Sequence, residues 1–165
     1  MIIGHGDIAS VLPDRKDVVF FASGVSNSSE TRESEYKREV SLLMRQNKNK
    51  HLVYFSSLTC FFNPGTRYAR HKKRMENLVK SNFKKYTIIR MGTITWGTNP
   101  HTLINFLRNR YKSGKPLEIR KTFRYIVDTD EFLHWISLIP KWSCEMNITG
   151  RRLTVKQIVD EFVIT

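Results

Sequence analysis

Residues 51–72, which read HLVYFSSLTCFFNPGTRYARHK, bring together side chains that could transfer a proton. Tyr68 and Lys72 are four residues apart, so on a helix they lie on one face, one turn from each other. Ser56 and Ser57 end the apolar run before them, and a serine at the end of a neighbouring strand can reach the same point. A phenol has a pKa of about 10 and is a weak base at neutral pH unless a cation is near it. The stretch therefore predicts a proton-transfer site made of a hydroxyl, a phenol and an ammonium group.

A second stretch suited to ligand binding lies at the start of the chain, where residues 4–9 read GHGDIA. In dinucleotide-binding βα units of this GxGxxA form, the first glycine allows a tight turn and the second lets the backbone approach a pyrophosphate. The small last residue lets the following helix pack on the strand. An apolar strand before the turn and the segment IASVL after it favour this interpretation.

The elements predicted around these motifs alternate between strands and helices. The predicted strands are residues 1–3, 17–22, 51–55, 86–91, 124–127 and 146–149, with a short extended piece at 117–119. The predicted helices follow the glycine turn and cover 33–46, 68–79, 102–111, 130–139 and 153–162, the last capped by Thr154 with Gln157. This order predicts an α/β fold: a Rossmann-like, doubly wound parallel sheet of about five strands in a three-layer αβα arrangement.

The composition predicts a single domain. Its charge suggests an anionic binding partner. No run of about 18 apolar residues is present and the N-terminus lacks signal-peptide features, so we expect no membrane segment. Cys60 and Cys144 follow no CxxC spacing, and no histidine has metal-ligand spacing, so we expect reduced thiols, no metal and a cytoplasmic location. The net charge of +13 suggests a nucleotide, a nucleotide-sugar or a nucleic acid, although a basic solvated surface explains the charge equally well.

Seven motifs occur in an order that resembles the extended short-chain dehydrogenase/reductase superfamily, in particular its NAD-dependent sugar-nucleotide epimerase/dehydratase group. They are the GxGxxA turn, Ala-Ser-Gly at 22–24, Ser-Ser at 56–57, YxxxK at 68–72, IIRMGTITWG at 88–97, KPL and RYIVDTD within 115–130, and NITG with LTV within 147–155. The resemblance covers essentially the whole chain, residues 1–165. It implies a single NAD(P)-binding domain with a small substrate-binding part at roughly residues 93–145.

The resemblance also assigns roles to individual residues. Tyr68 would be the general acid/base, Lys72 would hold the nicotinamide ribose, and Ser57 would hydrogen-bond a nucleotide-sugar substrate. The residues implied to bind NAD or NADP are Gly4, Gly6, Asp7, Ile8, Ala22, Ser23, Gly24, Lys72, Met91, Gly92 and Thr93. The residues implied or expected to face substrate are Ser57, Trp96 and Arg124. The family often forms homodimers through the two helices that here begin near Glu33 and Tyr68, although the basic surfaces of these helices oppose such a pairing.

The chain departs from the family pattern before the strand at 17–22. The family has roughly two further βα units there, which place an acidic residue on the adenosine ribose. Asp14 follows the glycines too closely for that role, so we expect a shortened adenosine half. The small C-terminal part also keeps open an alternative, a non-catalytic Rossmann-like module that binds a nucleotide, a protein or a nucleic acid.

The basic cluster at residues 67–74 is the sequence candidate for a nucleic-acid site. A helix spreads these charges around its axis, which favours a solvated face. A nucleic-acid site also needs stacking aromatic side chains beside the charges. Phe61 and Phe62 are the near candidates, and we expect them to pack inside the protein, like Trp135 and Trp142.

Overall fold

A parallel β-sheet forms the centre of the protein, whose structure is a computed structural model that describes residues 1–164. In chain order the strands are β1 (Ile2–Ile3), β2 (Val18–Phe21), β3 (His51–Ser57), β4 (Lys85–Met91), β5 (Thr93–Ile94), β6 (Phe123–Val127), β7 (Cys144–Ile148) and β8 (Arg151–Thr154). The central sheet has the order β1-β2-β3-β4-β7, and all its strands are parallel.

The helices are α1 (Asp7–Val11), α2 (Glu33–Met44), α3 (Thr59–Phe62), α4 (Arg67–Asn82), α5 (Leu103–Lys112), α6 (Thr129–Ser137) and α7 (Val155–Phe162). No helix within residues 1–164 is long and apolar enough to cross a membrane. The predicted alternation of strands and helices is confirmed, with boundaries that differ by a few residues.

The central sheet is covered on both faces, which explains the continuous apolar runs of its strands. Alternate residues of β2 divide between two cores. Val18 and Phe20 pack with Phe132 and Ile136 of α6, whereas Val19 and Phe21 pack against α2 and α4. The predicted three-layer αβα arrangement is therefore confirmed.

A second, three-stranded sheet has the order β5-β6-β8, with β6 parallel to β5 and antiparallel to β8. It packs on α5 and α7 through a separate apolar core that includes Ile126. The prediction that the last helix begins at Leu153 is wrong, because Leu153 pairs with Arg124 in β8. The predicted cap is present: Thr154 and Gln157 form a capping box before α7.

The sheet ends at β1, which has two residues and pairs with β2 alone among the strands of the described chain. The chain passes from α1 directly into β2, as the sequence predicts. Gly4 makes the tight turn between β1 and α1 with a φ of +128°. A side chain at Gly4 would overlap the carbonyl of Ala22, so this turn requires glycine. The half of the sheet beyond β1 that would hold an adenosine is absent from residues 1–164.

Candidate active site

The three residues predicted to carry the chemistry meet at the carboxyl end of β3. Thr66 caps α4 by accepting a hydrogen bond from the Ala69 amide, which places Tyr68 and Lys72 in the first turns of that helix. The ammonium nitrogen of Lys72 lies 5.7 Å from the centre of the Tyr68 ring. Ser57 ends β3 beside the phenol and donates a 2.9 Å hydrogen bond to Thr59. The geometry therefore brings the predicted hydroxyl, phenol and ammonium group together.

The two serines of the motif have different environments. The Ser56 hydroxyl donates a 2.7 Å hydrogen bond to Glu76, a fully buried carboxylate. Arg90 holds the same carboxylate through two hydrogen bonds of 2.8 and 2.6 Å. Ser56 thus belongs to a buried structural network, which leaves Ser57 as the serine beside Tyr68.

The Tyr68 phenol stays protonated in the resting protein. Burial raises its pKa, and this effect is larger than the opposing effects of the Lys72 charge and the Ser57 hydroxyl. A protonated phenol can act directly as a general acid, and it becomes a base once it has given up its proton.

Glu39 on α2 controls the state of Lys72. This fully buried carboxylate accepts hydrogen bonds from the Tyr54 hydroxyl at 2.7 Å and from the Val25 amide at 2.8 Å. It also lies 2.9 Å from His71 Nε2 and accepts a 3.3 Å bond from Lys72 Nζ. Burial opposes the ionisation of Glu39, but the charge of Lys72 and these hydrogen bonds outweigh it and lower the Glu39 pKa to about 2.

Lys72 is therefore charged but almost inaccessible, since its exposed fraction is 3%. Burial alone would lower its pKa, and the negative charge of Glu39 raises the pKa above the ordinary value. Its nitrogen also donates to the Tyr54 hydroxyl at 3.3 Å. A Cβ at Gly24 would lie 2.6 Å from that nitrogen, so the β2–α2 loop covers the ammonium group. Two of the three N–H groups of this ammonium are thus directed at Glu39 and Tyr54.

Glu39 is a functional residue that was not predicted from the sequence, although its position on α2 indicates a buried acid. Tyr36, Glu39 and Leu43 are spaced three and four residues apart on α2, and all three are buried. An acidic residue on the apolar stripe of a helix requires partners, because an unpaired buried charge is very unfavourable.

The glycine turn has the open backbone that a pyrophosphate needs. Gly6 is the residue before α1, and a Cβ added to it would meet no atom within 4 Å. Within the described residues no side chain caps the first turn of α1, so the amides of Asp7 and Ile8 are available to an anion. These residues fit the pyrophosphate of a dinucleotide.

A loop after β5 crosses the glycine turn and holds the Asp7 carboxylate. The amides of Thr98 and Asn99 each donate a 3.0 Å hydrogen bond to that carboxylate. The Trp96 indole donates to the Asp7 carbonyl at 2.9 Å, and its ring packs 5.2 Å from that of Phe132. Trp96, which we expect to face substrate, is thus half-buried between α1 and α6. We call residues 96–99 the crossing loop.

The other predicted cofactor residues line the carboxyl ends of β2 and β4. Ala22, Ser23 and Gly24 follow β2, and the Ser23 hydroxyl accepts a 3.1 Å bond from Arg38. Met91 is buried in the core between the sheet and α6. Gly92 packs against the backbone of Tyr125, and Thr93 begins β5.

Arg124 lies in a different place from the other predicted substrate residues. It borders a cavity of about 340 Å³ together with Arg110, Arg120 and Phe106, between α5 and β6. The lining of this cavity does not include Ser57, Tyr68 or Lys72. The structure thus brings together the predicted catalytic residues and leaves Trp96 and Arg124 outside that group. No set of three metal-ligating side chains occurs in the part of the chain that the structure describes.

The parallel sheet, the glycine turn and the Ser57–Tyr68–Lys72 group define an α/β protein of the dinucleotide-binding class. Residues 5–119, more than half of the chain, match the NAD(P)H-binding family model. The chain belongs to this NAD(P)H-binding family, whose cofactor class, NAD or NADP, is the one predicted. A comparison with curated proteins finds no match.

Several solved structures share the fold at low sequence identity. WbmG from Bordetella bronchiseptica, solved with NAD, has a TM-score of 0.64 and 16% identity over 87% of this chain and 55% of that chain. UDP-glucuronic acid 4-epimerase from Bacillus cereus has a TM-score of 0.64 and 14% identity over 87% and 57%. A dTDP-4-dehydrorhamnose reductase from Clostridium acetobutylicum has a TM-score of 0.64 and 15% identity over 87% and 61%.

The Bacillus and Clostridium neighbours are named as enzymes of nucleotide-linked sugars, so the predicted resemblance and fold class are confirmed at the level of the fold. The present chain spans little more than half the length of the three structures.

Proposed function

We propose that this protein is an NAD(P)-dependent enzyme of the epimerase, dehydratase or reductase type that acts on a nucleotide-sugar. The observation that carries this proposal is the meeting of Ser57, Tyr68 and Lys72 at the carboxyl end of β3. That edge of an open parallel sheet is where ligands bind in doubly wound folds. Gly6 leaves an open approach to the backbone at the same edge.

In this proposal Tyr68 transfers the proton, and the charge of Lys72 lowers the free energy of the Tyr68 phenolate. Ser57 hydrogen-bonds the hydroxyl or carbonyl of the sugar at which the reaction occurs. Tyr68 gives its proton to a substrate carbonyl oxygen, or takes one from a substrate hydroxyl when the phenol has been deprotonated. The positive charge of Lys72 stabilises the phenolate, and Glu39 holds that charge 5.7 Å from the ring centre. Gly6 with the amides of Asp7 and Ile8 would hold the pyrophosphate of NAD(P), which would supply a hydride acceptor or donor.

The choice of a nucleotide-sugar rests on the structural neighbours. WbmG has been solved with NAD and UDP, and the Bacillus cereus epimerase with NAD and a fluorinated UDP-glucuronic acid. Those ligands belong to those proteins, and we extend their chemical class to this chain. Arg124 remains the candidate for a substrate phosphate, because it has no carboxylate partner within the described residues.

We also propose that the protein is cytoplasmic and forms a homodimer. Cys60 and Cys144 are both free thiols, in keeping with a protein of the reducing cytoplasm. The expected homodimer would form through α2 and α4, the helices on one face of the sheet.

The test is turnover by the Tyr68→Phe variant with a panel of UDP- and dTDP-linked hexoses in the presence of NAD(P). Phenylalanine keeps the ring but removes the proton, so we expect a loss of at least about a hundredfold, the usual effect of general acid/base catalysis. Product sugars are separated by chromatography and identified by NMR.

Tyr36→Phe is the matched control. Tyr36 packs in the same small cluster as Tyr68, but its hydroxyl donates to the Glu30 carbonyl. This variant should retain turnover. A wild-type protein that converts none of the panel, or a Tyr68→Phe variant as active as the control, would contradict the proposal.

A further inference from the structure

Two exposed phenylalanines on α3 begin a path of aromatic rings across the protein surface. The expectation that Phe61 and Phe62 pack inside is wrong: they are 52% and 62% exposed. The ring of Phe62 stacks on that of Tyr125, with centroids 5.2 Å apart and planes inclined by 15°. The stack links α3 to the second sheet.

The path continues along β6 and β8. Phe123 and Tyr125 are two residues apart on β6, so their side chains share one face of the sheet. Arg152 on β8 is paired with Tyr125, and its guanidinium carbon lies 3.9 Å from the centre of the Phe123 ring. Phe123 is half exposed, and Arg152 has no carboxylate partner within residues 1–164. Rings and a cation therefore alternate on this face.

A basic groove lies between α3 and α4. It has a volume of about 450 Å³ and is bordered by Cys60 of α3 and, on α4, by Arg70, Lys73 and Arg74. Lys73 is paired with Glu76 at 3.3 Å and Arg70 donates to the Gly65 carbonyl, whereas Arg74 has no carboxylate partner in the described part of the chain. Cys60 borders the groove and precedes Phe61 on α3, so the same short helix carries one border of the groove and the first ring of the path.

We propose that this path binds single-stranded nucleic acid, with bases on the rings and phosphates on the cations. We call it the stacking track and define it as Phe61, Phe62, Tyr125, Phe123, Arg152, Arg70, Lys73 and Arg74. Exposed rings beside unpaired cations are how proteins hold unpaired bases, because every base offers a face to an aromatic ring. The net charge of +13 adds long-range attraction to a polyanion. An apolar protein partner would leave Arg70, Arg74 and Arg152 without counter-charges.

The test is fluorescence anisotropy of labelled oligo-dT and oligo-rU of about 12 nucleotides, a length within the range such sites cover. The wild-type protein should bind at low salt, and its affinity should fall along a straight line in a log–log plot against salt. Phe123→Ala and Phe62→Ala should each weaken binding about 5- to 100-fold, the usual effect of losing one stacked base. Arg152→Gln should weaken binding and make the salt slope shallower.

Trp142→Ala is the matched control. Trp142 is 69% exposed and precedes β7, at the opposite end of the parallel strands, and the variant should bind like wild type. The track would be refuted by absent binding at low salt, by equal loss in the Trp142 variant, or by equally tight binding of duplex DNA.

Competition with uridine monophosphate separates the track from the proposed catalytic function. If equimolar nucleotide displaces the oligonucleotide, the track holds the nucleotide of a substrate and the nucleic-acid proposal is refuted. If Tyr68→Phe retains oligonucleotide binding while turnover is lost, the two functions are independent, as we propose.

Discussion

Glu39 determines the chemistry of the residues predicted to be catalytic. The YxxxK spacing predicted Lys72 on the same helix face as Tyr68, and the buried carboxylate of Glu39 holds the Lys72 nitrogen there. The motif could be found from spacing alone because a helix fixes which residues share a face. The spacing of α2 also marks Glu39 as a buried acid, but its partners could not be found from spacing, because Val25, Tyr54 and His71 come from three separate segments of the chain.

Glu39→Gln should destabilise the protein in a pH-dependent manner. Glutamine keeps the shape but leaves the Lys72 charge buried without a counter-charge, which typically costs about 3–5 kcal/mol. The Glu39 pKa is about 2 in the folded protein, against an ordinary value of 4.5 for an exposed glutamate in an unfolded chain. Its stabilisation is therefore complete above pH 4.5 and is lost as the pH falls toward 2. Urea unfolding from neutral to acidic pH measures both effects.

Glu118→Gln is the control for this variant. Glu118 pairs with Arg120 on the surface, so its replacement should leave the unfolding midpoint unchanged. A Glu39→Gln variant as stable as wild type at neutral pH would show that Glu39 does not hold Lys72 in place.

At the scale of elements, the strands of the central sheet were predicted from the sequence, whereas only β6 of the second sheet was. The strands β2, β3 and β4 are buried on both faces and therefore read as apolar runs. By contrast β8 has the sequence RRLT, which contains no apolar run, and it forms a strand because it pairs with β6. Trp135 and Trp142 were expected in the core but are exposed, Trp135 on α6 and Trp142 in the segment between α6 and β7.

The crossing loop depends on glycine at position 97. Gly97 has a φ of +91°, and a side chain there would overlap that of Asp7. Gly97→Ala should lower the free energy of unfolding by about 2 kcal/mol, from backbone strain and loss of the Asp7 contacts. Amide hydrogen exchange at Thr98 and Asn99 should become faster, because their acceptor on Asp7 is displaced.

Gly65→Ala is the matched control for the crossing loop. Gly65 is outside the left-handed region, and a Cβ there would meet no atom within 4 Å. Its stability should equal that of wild type. Unchanged exchange at Thr98 and Asn99 in Gly97→Ala would mean that the loop does not rely on Asp7.

At the scale of the whole molecule, the protein is one half of a dinucleotide-binding sheet with a small second sheet beside it. The central sheet ends at β1, so the described residues include the predicted pyrophosphate turn and the predicted catalytic group but lack the adenosine half that the family resemblance implies. The sequence predicted this shortening, because only a few residues separate α1 from β2. Under the proposed function, NAD(P) would then be bound mainly by the turn at Gly6 and by the residues at the nicotinamide end of the site.

The most direct test is a fluorescence titration of NADH and NADPH with wild-type protein and with Gly6→Val. Gly6 has a φ of −79° and open space around it, so valine fits the fold while filling the approach to the pyrophosphate. We predict saturable binding by the wild-type protein. The affinity of Gly6→Val should be at least about tenfold weaker, which is the effect of losing one or two hydrogen bonds to a charged group. The free energy of unfolding should be the same in both proteins. No binding by wild type at millimolar cofactor, or equal affinity in the two proteins, would contradict the assignment of a cofactor to this site.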